Sequence, residues 1–176
     1  MLMISMIQLD KKKQHSHAHR LLGECLKPYN IAYREDMLSF GEHGKPFLAE
    51  RPDVRFNLSH ADGIAACIVS ENECGIDCEK VREWRPKVAR RVFTAEERAM
   101  IEAVPEGERG LLFFRLWTLK EAFVKAVGRG LAYPMNTVGF SFGDGCVSCT
   151  EQGWRFRQYI LRGGEFVVSV CERVSG

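Results

Sequence analysis

No charge of one sign dominates this chain. Its 25 lysines and arginines stand against 23 aspartates and glutamates, a formal net charge of +2 over 176 residues, so no sequence-wide field exists for holding nucleic acid or an anionic membrane. Any cationic function has to be local. No apolar run is long enough to span a bilayer, and in the opening "MLMISMIQLDKKK" the lysines follow the short apolar stretch, whereas a secretory signal places them before it. Internal repeats, low-complexity segments and a Walker-type phosphate loop are all missing. The seven cysteines are odd in number and scattered, which argues against a disulfide framework and for reduced thiols. A cytoplasmic location is expected, with neither nucleic acid nor membrane as partner.

The length fits one domain, or two small subdomains sharing a core. Apolar spacing predicts a buried strand over 1–9 and a helix over 16–28, in which Ala18, Leu21, Leu22 and Cys25 recur at helical intervals until Pro28 stops it. A loop, "SFGEHGKPFLAERPD", leads into three strands expected at 54–58, 64–69 and 75–79. Thr94 with Glu97 three residues on is a capping-box signature opening a helix over 95–104, and a longer helix follows over 108–127 with Gly128 and Gly130 at its end. From Thr137 onward, turns at "GDG" and "RGGE" separate further strands. The order βα-βββ-αα-βββ has no regular βαβ alternation, so it implies an α+β fold with antiparallel sheets.

The chemistry is concentrated in "ECGIDCEK", residues 73–80. In a strand, Cys74, Ile76 and Cys78 point one way while Gly75, Asp77 and Glu79 point the other. Two carboxylates about 7 Å apart on one face can ligate one cation, although solvated acids at a strand end are the commoner case. A third acid changes the balance. On the helix "LWTLKEAFVKAVGRG", Phe113, Trp117, Glu121, Val124 and Gly128 fall on one stripe, so Glu121 interrupts an apolar line, and Lys125 lies one turn further on. A Glu121–Lys125 surface pair would leave the aromatic neighbours unexplained; a hard divalent cation on Asp77, Glu79 and Glu121 explains them. Magnesium, with manganese as the substitute, suits a site of few carboxylates completed by waters and phosphates. Two stretches offer phosphate contacts: "GEHGKP" presents Lys45 in a Gly-rich loop, and "FNLSHADG" presents Ser59 and His60 beside a turn. Each alone is as well explained by an ordinary turn.

In combination, "GKP", "FNLSH", "GIDCEK", "RRVFTAEE" and "FFRLWTLKEAFVKAVGRGL" resemble the 4'-phosphopantetheinyl transferase superfamily, in its larger, pseudo-dimeric surfactin-synthetase-activator class, and "AHRLLG" resembles that class's first helix. The resemblance implies two similar antiparallel-sheet-plus-helix halves related by a pseudo-twofold, over 1–82 and 83–176, folded as one compact monomer. It also implies transfer of the phosphopantetheine arm of coenzyme A to a serine of an apo acyl or peptidyl carrier protein, with release of 3',5'-ADP. By matching position Asp77, Glu79 and Glu121 would be the magnesium ligands, while Lys45, Ser59, His60, Arg20 and Lys125 would contact coenzyme A. Glu121, directly or through water, would supply a base for the serine proton, with Lys125 and His60 neutralising phosphate charge. The segment before Ala18 is short for this class, with "DKKKQHS" in place of a longer lysine-bearing stretch.

Three other readings compete. A zinc-stabilised binding module could use Cys74, Cys78, Cys146 and Cys149, but a strand would put Cys146 and Cys149 on opposite faces. An inactive homologue that only binds carrier protein is the second, against which stands retention of all three acids and Lys125. The run His15, His17, His19 is, thirdly, read as solvated or capping histidines. An acidic carrier helix would call for a basic patch, for which Arg85, Lys87, Arg90 and Arg91 are candidates.

Overall fold

Strands and helices follow one another in the expected order, with both halves of the chain richer in elements than the sequence pattern implies. The computed structural model describes residues 1–6, 11–143 and 145–174. Strand β1 (Leu2–Met6) is half-buried rather than buried, and residues 7–9 of the expected strand lie outside the described residues. Helix α1 (Lys11–Leu26) starts earlier than its apolar spacing indicated and gives way to a single 3-10 turn at Lys27–Tyr29, which contains Pro28. The Gly- and Pro-containing loop is a small hairpin, β2 (Leu38–Phe40) with β3 (Pro46–Leu48). Strands β4 (Arg55–Ala61), β5 (Ile64–Ser70) and β6 (Cys74–Lys80) follow as expected.

Next come α2 (Pro86–Val92), which opens on a proline at its first position, and α3 (Ala95–Ala103), whose Thr94–Glu97 capping box is complete. The long α4 (Glu106–Val127) is closed by Gly128 in the left-handed region at φ 78°. The chain finishes with β7 (Phe140–Gly143), β8 (Cys146–Cys149), β9 (Trp154–Leu161) and β10 (Phe166–Arg173). Among the described residues no helix is long and apolar enough to cross a membrane.

All pairings are antiparallel, and the two larger sheets have the orders β1-β5-β4 and β6-β10-β9. Each is built as a strand, a helical segment (α1 in the first, α2 to α4 in the second), a small hairpin, then two further strands, with the last strand in the middle. That places β6 in the second sheet through its ladder with β10. β6 therefore pairs into the second sheet although it lies before the expected boundary between residues 82 and 83, and its apolar residues pack with Val168 and Val170.

Three cores result. One lies between α1 and the first sheet, one between α4 and the second, and a third, with Ile64, Ile68, Ile76, Phe166 and Val168, is shared by both sheets. All seven cysteines are free thiols, five of them buried. On the α4 side, Glu97 and Lys120, each 1% exposed, pair at 2.8 Å, with Lys120 also donating to the carbonyls of Met135 and Val138 and Glu97 accepting from the backbone of Thr94 and Phe140. That buried pair is satisfied on every side, as burial of charge requires.

The approach of α4 to β6 sets the position of everything described below. A Cβ at Gly75 would fall 2.0 Å from the carbonyl oxygen of Ala122 and 2.5 Å from the amide of Ala126, backbone atoms that cannot step aside. Replacing Gly75→Ala should cost about 3 kcal/mol or more by overpacking. Chemical denaturation would measure it, and an unchanged midpoint would show that α4 can move away at no cost.

Candidate active site

Alternation along β6 works as the sequence implies. Cys74, Ile76 and Cys78 enter the core between the sheets, leaving Gly75 and Asp77 toward α4 with Glu79 beyond them. β4 runs beside β6 without a backbone ladder, and its side chains close the gap. Asn57 Oδ1 accepts from the amide of Ile76 at 2.9 Å and Ser59 Oγ from that of Cys78 at 3.2 Å. Buried amides of a strand edge are thereby satisfied. Asn57 is a site-building residue that the sequence reading missed, and its two-residue spacing from Ser59 on one strand face was the available signal.

Lys125 does not pair with Glu121, as a surface pair on one helix would. Its Nζ donates to Asp77 Oδ1 at 2.7 Å, to Ser59 Oγ at 3.2 Å and to the carbonyl of Ile76 at 3.2 Å. Ser59 in turn donates to Asp77 Oδ1 at 3.0 Å. Asp77 is buried, and its second oxygen, Oδ2, has no hydrogen-bond partner. Glu79 is held by Arg82 at 2.7 Å, and Arg82 is a second residue absent from the sequence-based set.

Electrostatics ties the acids together. Burial first, then the charge of Asp77, raise both Glu79 and Glu121 above the ordinary carboxylate range, and Glu79 adds to the effect on Glu121. Burial by itself would lower Lys125, but the neighbouring Asp77 carboxylate and its hydrogen bond reverse this, so Lys125 stays firmly cationic. Among the described residues no three Asp, Glu, His or Cys side chains converge closely enough to hold a metal ion in this arrangement. The three acids share one patch, with Lys125 as the internal counter-ion of Asp77. The patch nevertheless suits a cation: an orphaned buried oxygen and two carboxylates that resist ionisation are what a hard divalent ion would relieve.

The expected phosphate contacts are dispersed. Lys45 clips the end of α4 to the start of β6, donating to Glu73 at 2.9 Å and to the carbonyls of Ala126 at 2.8 Å and Cys74 at 3.3 Å. Ser59 belongs to the carboxylate network just described. His60 projects from β4 toward α1, its ring 6.1 Å from that of His15. Arg20 is exposed and bonds His17 at 2.9 Å beside a separate groove.

Of the histidine run, His15 is exposed as expected, whereas His17 is buried against Ser5 at 2.8 Å and His19, half-buried, bonds Tyr33. Cys74 and Cys78 face the shared core, whereas Cys146 is exposed on the separate β7–β8 hairpin, so the four cysteines of the zinc reading are not brought together. Arg85, Lys87, Arg90 and Arg91 are all exposed.

The sequence pattern of the 4'-phosphopantetheinyl transferase superfamily matches residues 73–171, from the strand bearing the acids to the last strand. The chain belongs to that superfamily. It is 34% identical over 123 residues to the 4'-phosphopantetheinyl transferase gsp of Aneurinibacillus migulanus, covering 66% of this chain and 51% of that protein. Against the 4'-phosphopantetheinyl transferase Sfp of Bacillus subtilis (strain 168) it is 33% identical over 127 residues, covering 68% and 57%. The chain thus spans about half the length of these curated relatives. In fold it is similar to the holo-[acyl-carrier-protein] synthase (AcpS) of Thermotoga maritima, with a TM-score of 0.50 and 22% identity over 59% of this chain and 64% of that one.

The raised acids give a stability prediction whose sign is fixed. A carboxyl whose folded pKa lies above its unfolded value binds its proton more tightly when folded, so stability falls as pH rises from the unfolded pKa through the folded one. In metal-free buffer Glu121→Gln should therefore be more stable than the native chain near pH 7, and the difference should vanish below about pH 4. Denaturation midpoints across that range test it; a variant less stable at neutral pH would mean that Glu121 is stabilising in the cation-free fold.

Proposed function

We propose that this protein transfers the 4'-phosphopantetheine group of coenzyme A to a serine hydroxyl of an apo acyl or peptidyl carrier protein, releasing 3',5'-ADP. The observation that carries this reading is the orphaned oxygen of buried Asp77, whose other oxygen is held by Lys125 and whose charge raises both Glu79 and Glu121. The names of the relatives above support the same chemistry. Asp77, Glu79 and Glu121 would hold magnesium, or manganese in its place. When bound, such an ion neutralises pyrophosphate charge and stabilises the leaving phosphate.

The chain's own residues then have separable tasks. Glu121, directly or through a water, accepts the proton from the carrier's serine Oγ as that oxygen attacks the pantetheine-side phosphorus. The phosphoanhydride bond breaks, and its electron pair leaves with 3',5'-ADP. Lys125, paired with Asp77 at 2.7 Å, would be the cationic side chain of this patch offered to a phosphate oxygen. His60, at the other side of β4, faces the remaining part of the nucleotide. The exposed Arg85, Lys87, Arg90 and Arg91 offer a basic surface for the acidic helix of a carrier; both sheet-and-helix units lie in one chain, which supports action as a monomer, and the free thiols suit a reducing cytoplasm.

Incubation with coenzyme A, magnesium and a panel of apo carrier proteins should add the mass of one phosphopantetheine group to at least one carrier. No gain on any carrier, with coenzyme A unbound, would dismiss the proposal. Glu121→Gln should reduce transfer by about a hundredfold or more while coenzyme A still binds, and near-native transfer by that variant would remove Glu121 from the role of base.

A further inference from the structure

The two acids of β6 share a feature: each is held by one oxygen only. Asp77 takes Lys125 at 2.7 Å and Ser59 at 3.0 Å on Oδ1 and leaves the buried Oδ2 without a partner. Glu79 takes Nη2 of Arg82 at 2.7 Å on Oε2, and among the described residues its Oε1 accepts no hydrogen bond. Arg82 is anchored against α4. Its carbonyl oxygen lies 2.5 Å from the place that a Cβ on Gly110 would take, so its backbone is pressed onto the helix. One turn along the same helix, the guanidinium sits 5.3 Å from the ring centre of buried Phe114.

We propose that Arg82 is a specificity-determining residue, which makes the carboxylate site select small octahedral cations, magnesium or manganese, over calcium. This role rests on the proposed function and deepens it. Calcium takes roughly six to eight oxygens and accepts both oxygens of one carboxylate, whereas magnesium keeps a strict octahedron in which waters and phosphate oxygens fill several places. A carboxylate with one oxygen engaged by a guanidinium offers a cation the other and no more. Arg82 imposes this on Glu79, and Lys125 with Ser59 imposes it on Asp77. The patch is left with few protein oxygens, which suits the smaller ion and starves the larger one.

An i,i+3 pair between half-exposed side chains contributes little to stability, so the bond is not explained as a structural brace. What distinguishes Arg82 is the acid it holds. Asp77 is buried and fixed, so a shared cation requires Glu79 and Glu121 to turn toward it. With its backbone fixed and its stem half-exposed, Arg82 can keep hold of Oε2 as Oε1 turns. Removing the hydrogen-bonded partner of a ligating carboxylate changes metal binding by about ten- to a hundredfold. Lys125 is no test of the idea, because its loss also strips buried Asp77 of its counter-ion. Arg82 lies at the exposed edge and can be replaced without that penalty.

Manganese binding to the native chain, read from the electron paramagnetic resonance signal of the free ion, and displacement of bound manganese by magnesium or calcium give the relative affinities with no turnover involved. The native chain should prefer manganese and magnesium to calcium. Arg82→Met keeps an apolar stem over Phe114 but donates nothing to Glu79, and it should narrow the preference for manganese over calcium by about tenfold. Arg82→Lys, which still offers a charged donor, should retain most of the preference. Loss of the positive charge acts on all three divalent ions alike and cancels in the ratio. No preference over calcium in the native chain, or an unchanged or wider manganese-to-calcium ratio in Arg82→Met, would overturn the role of Arg82 and leave the transfer reading standing. Failure of the native chain to bind manganese, or binding that survives Asp77→Asn unchanged, would remove the cation from the carboxylate patch and overturn both.

Discussion

The contact of α4 with β6 at Gly75 is the constraint on which the rest of the molecule depends. Ala122 and Ala126 on the helix and Gly75 on the strand bring two backbones closer than any larger side chain would permit. That closeness places Glu121 and Lys125, one helical turn apart, over the strand position of Asp77. Other bonds hold the same approach. Thr118 and Ser169 share a 2.7 Å hydrogen bond between α4 and β10, and Lys45 ties the last turn of α4 to β6. The acids are thus positioned by regular elements with no loop between them, which suits a site that must tolerate strong repulsion without rearranging.

Two buried charge systems sit side by side on α4, and they differ in how completely they are satisfied. Lys120 faces Glu97 and two carbonyls, and Glu97 reaches two amides besides, so that pair fixes the segment from Met135 to Phe140 against α3 and α4. Glu121, the next residue, has the opposite situation. It shares a patch with Asp77 and Glu79 for which Lys125 supplies the inner positive charge and Arg82 one at the exposed edge, and Asp77 Oδ2 is left without a donor. Buried polar atoms are so regularly paired that such an exception points to function. The fold therefore spends its first lysine on architecture, and leaves its second paired with an acid that a bound cation would claim.

Much of this was legible in the sequence because it depends on short-range rules. Alternation in "GIDCE" separates Ile76 from Asp77 and Glu79, helical spacing puts Glu121 on an apolar stripe, and Thr94 with Glu97 caps α3. What escaped the sequence depends on partners far along the chain. The β2–β3 hairpin consists of two strands of three residues, too short for alternation to register, and it exists because Phe40 and Leu38 pair with Pro46 and Leu48. The preference of Lys125 for Asp77 over Glu121 follows from the tertiary contact at Gly75, not from helical spacing. In the same way, burial of His17 against Ser5 required knowing that α1 packs over β1, so a run of three histidines in a lysine-rich segment could not be told from a solvated one.

The repeated order of the two units explains why different charges meet at β4. Each unit begins with a strand and has a later helix that covers its sheet: α1 after β1, and α4, with α2 and α3 in between, after β6. In the second unit that pair carries Asp77, Glu79 and Glu121; in the first it carries Ser5, His17 and the neighbouring histidines. β4 lies between them, and its alternation sends Ser59 to the acids and His60 to the imidazoles. One strand thus separates a carboxylate patch with an orphaned buried oxygen from a cluster of imidazoles, so neighbouring residues of a single strand serve two surfaces of different chemistry.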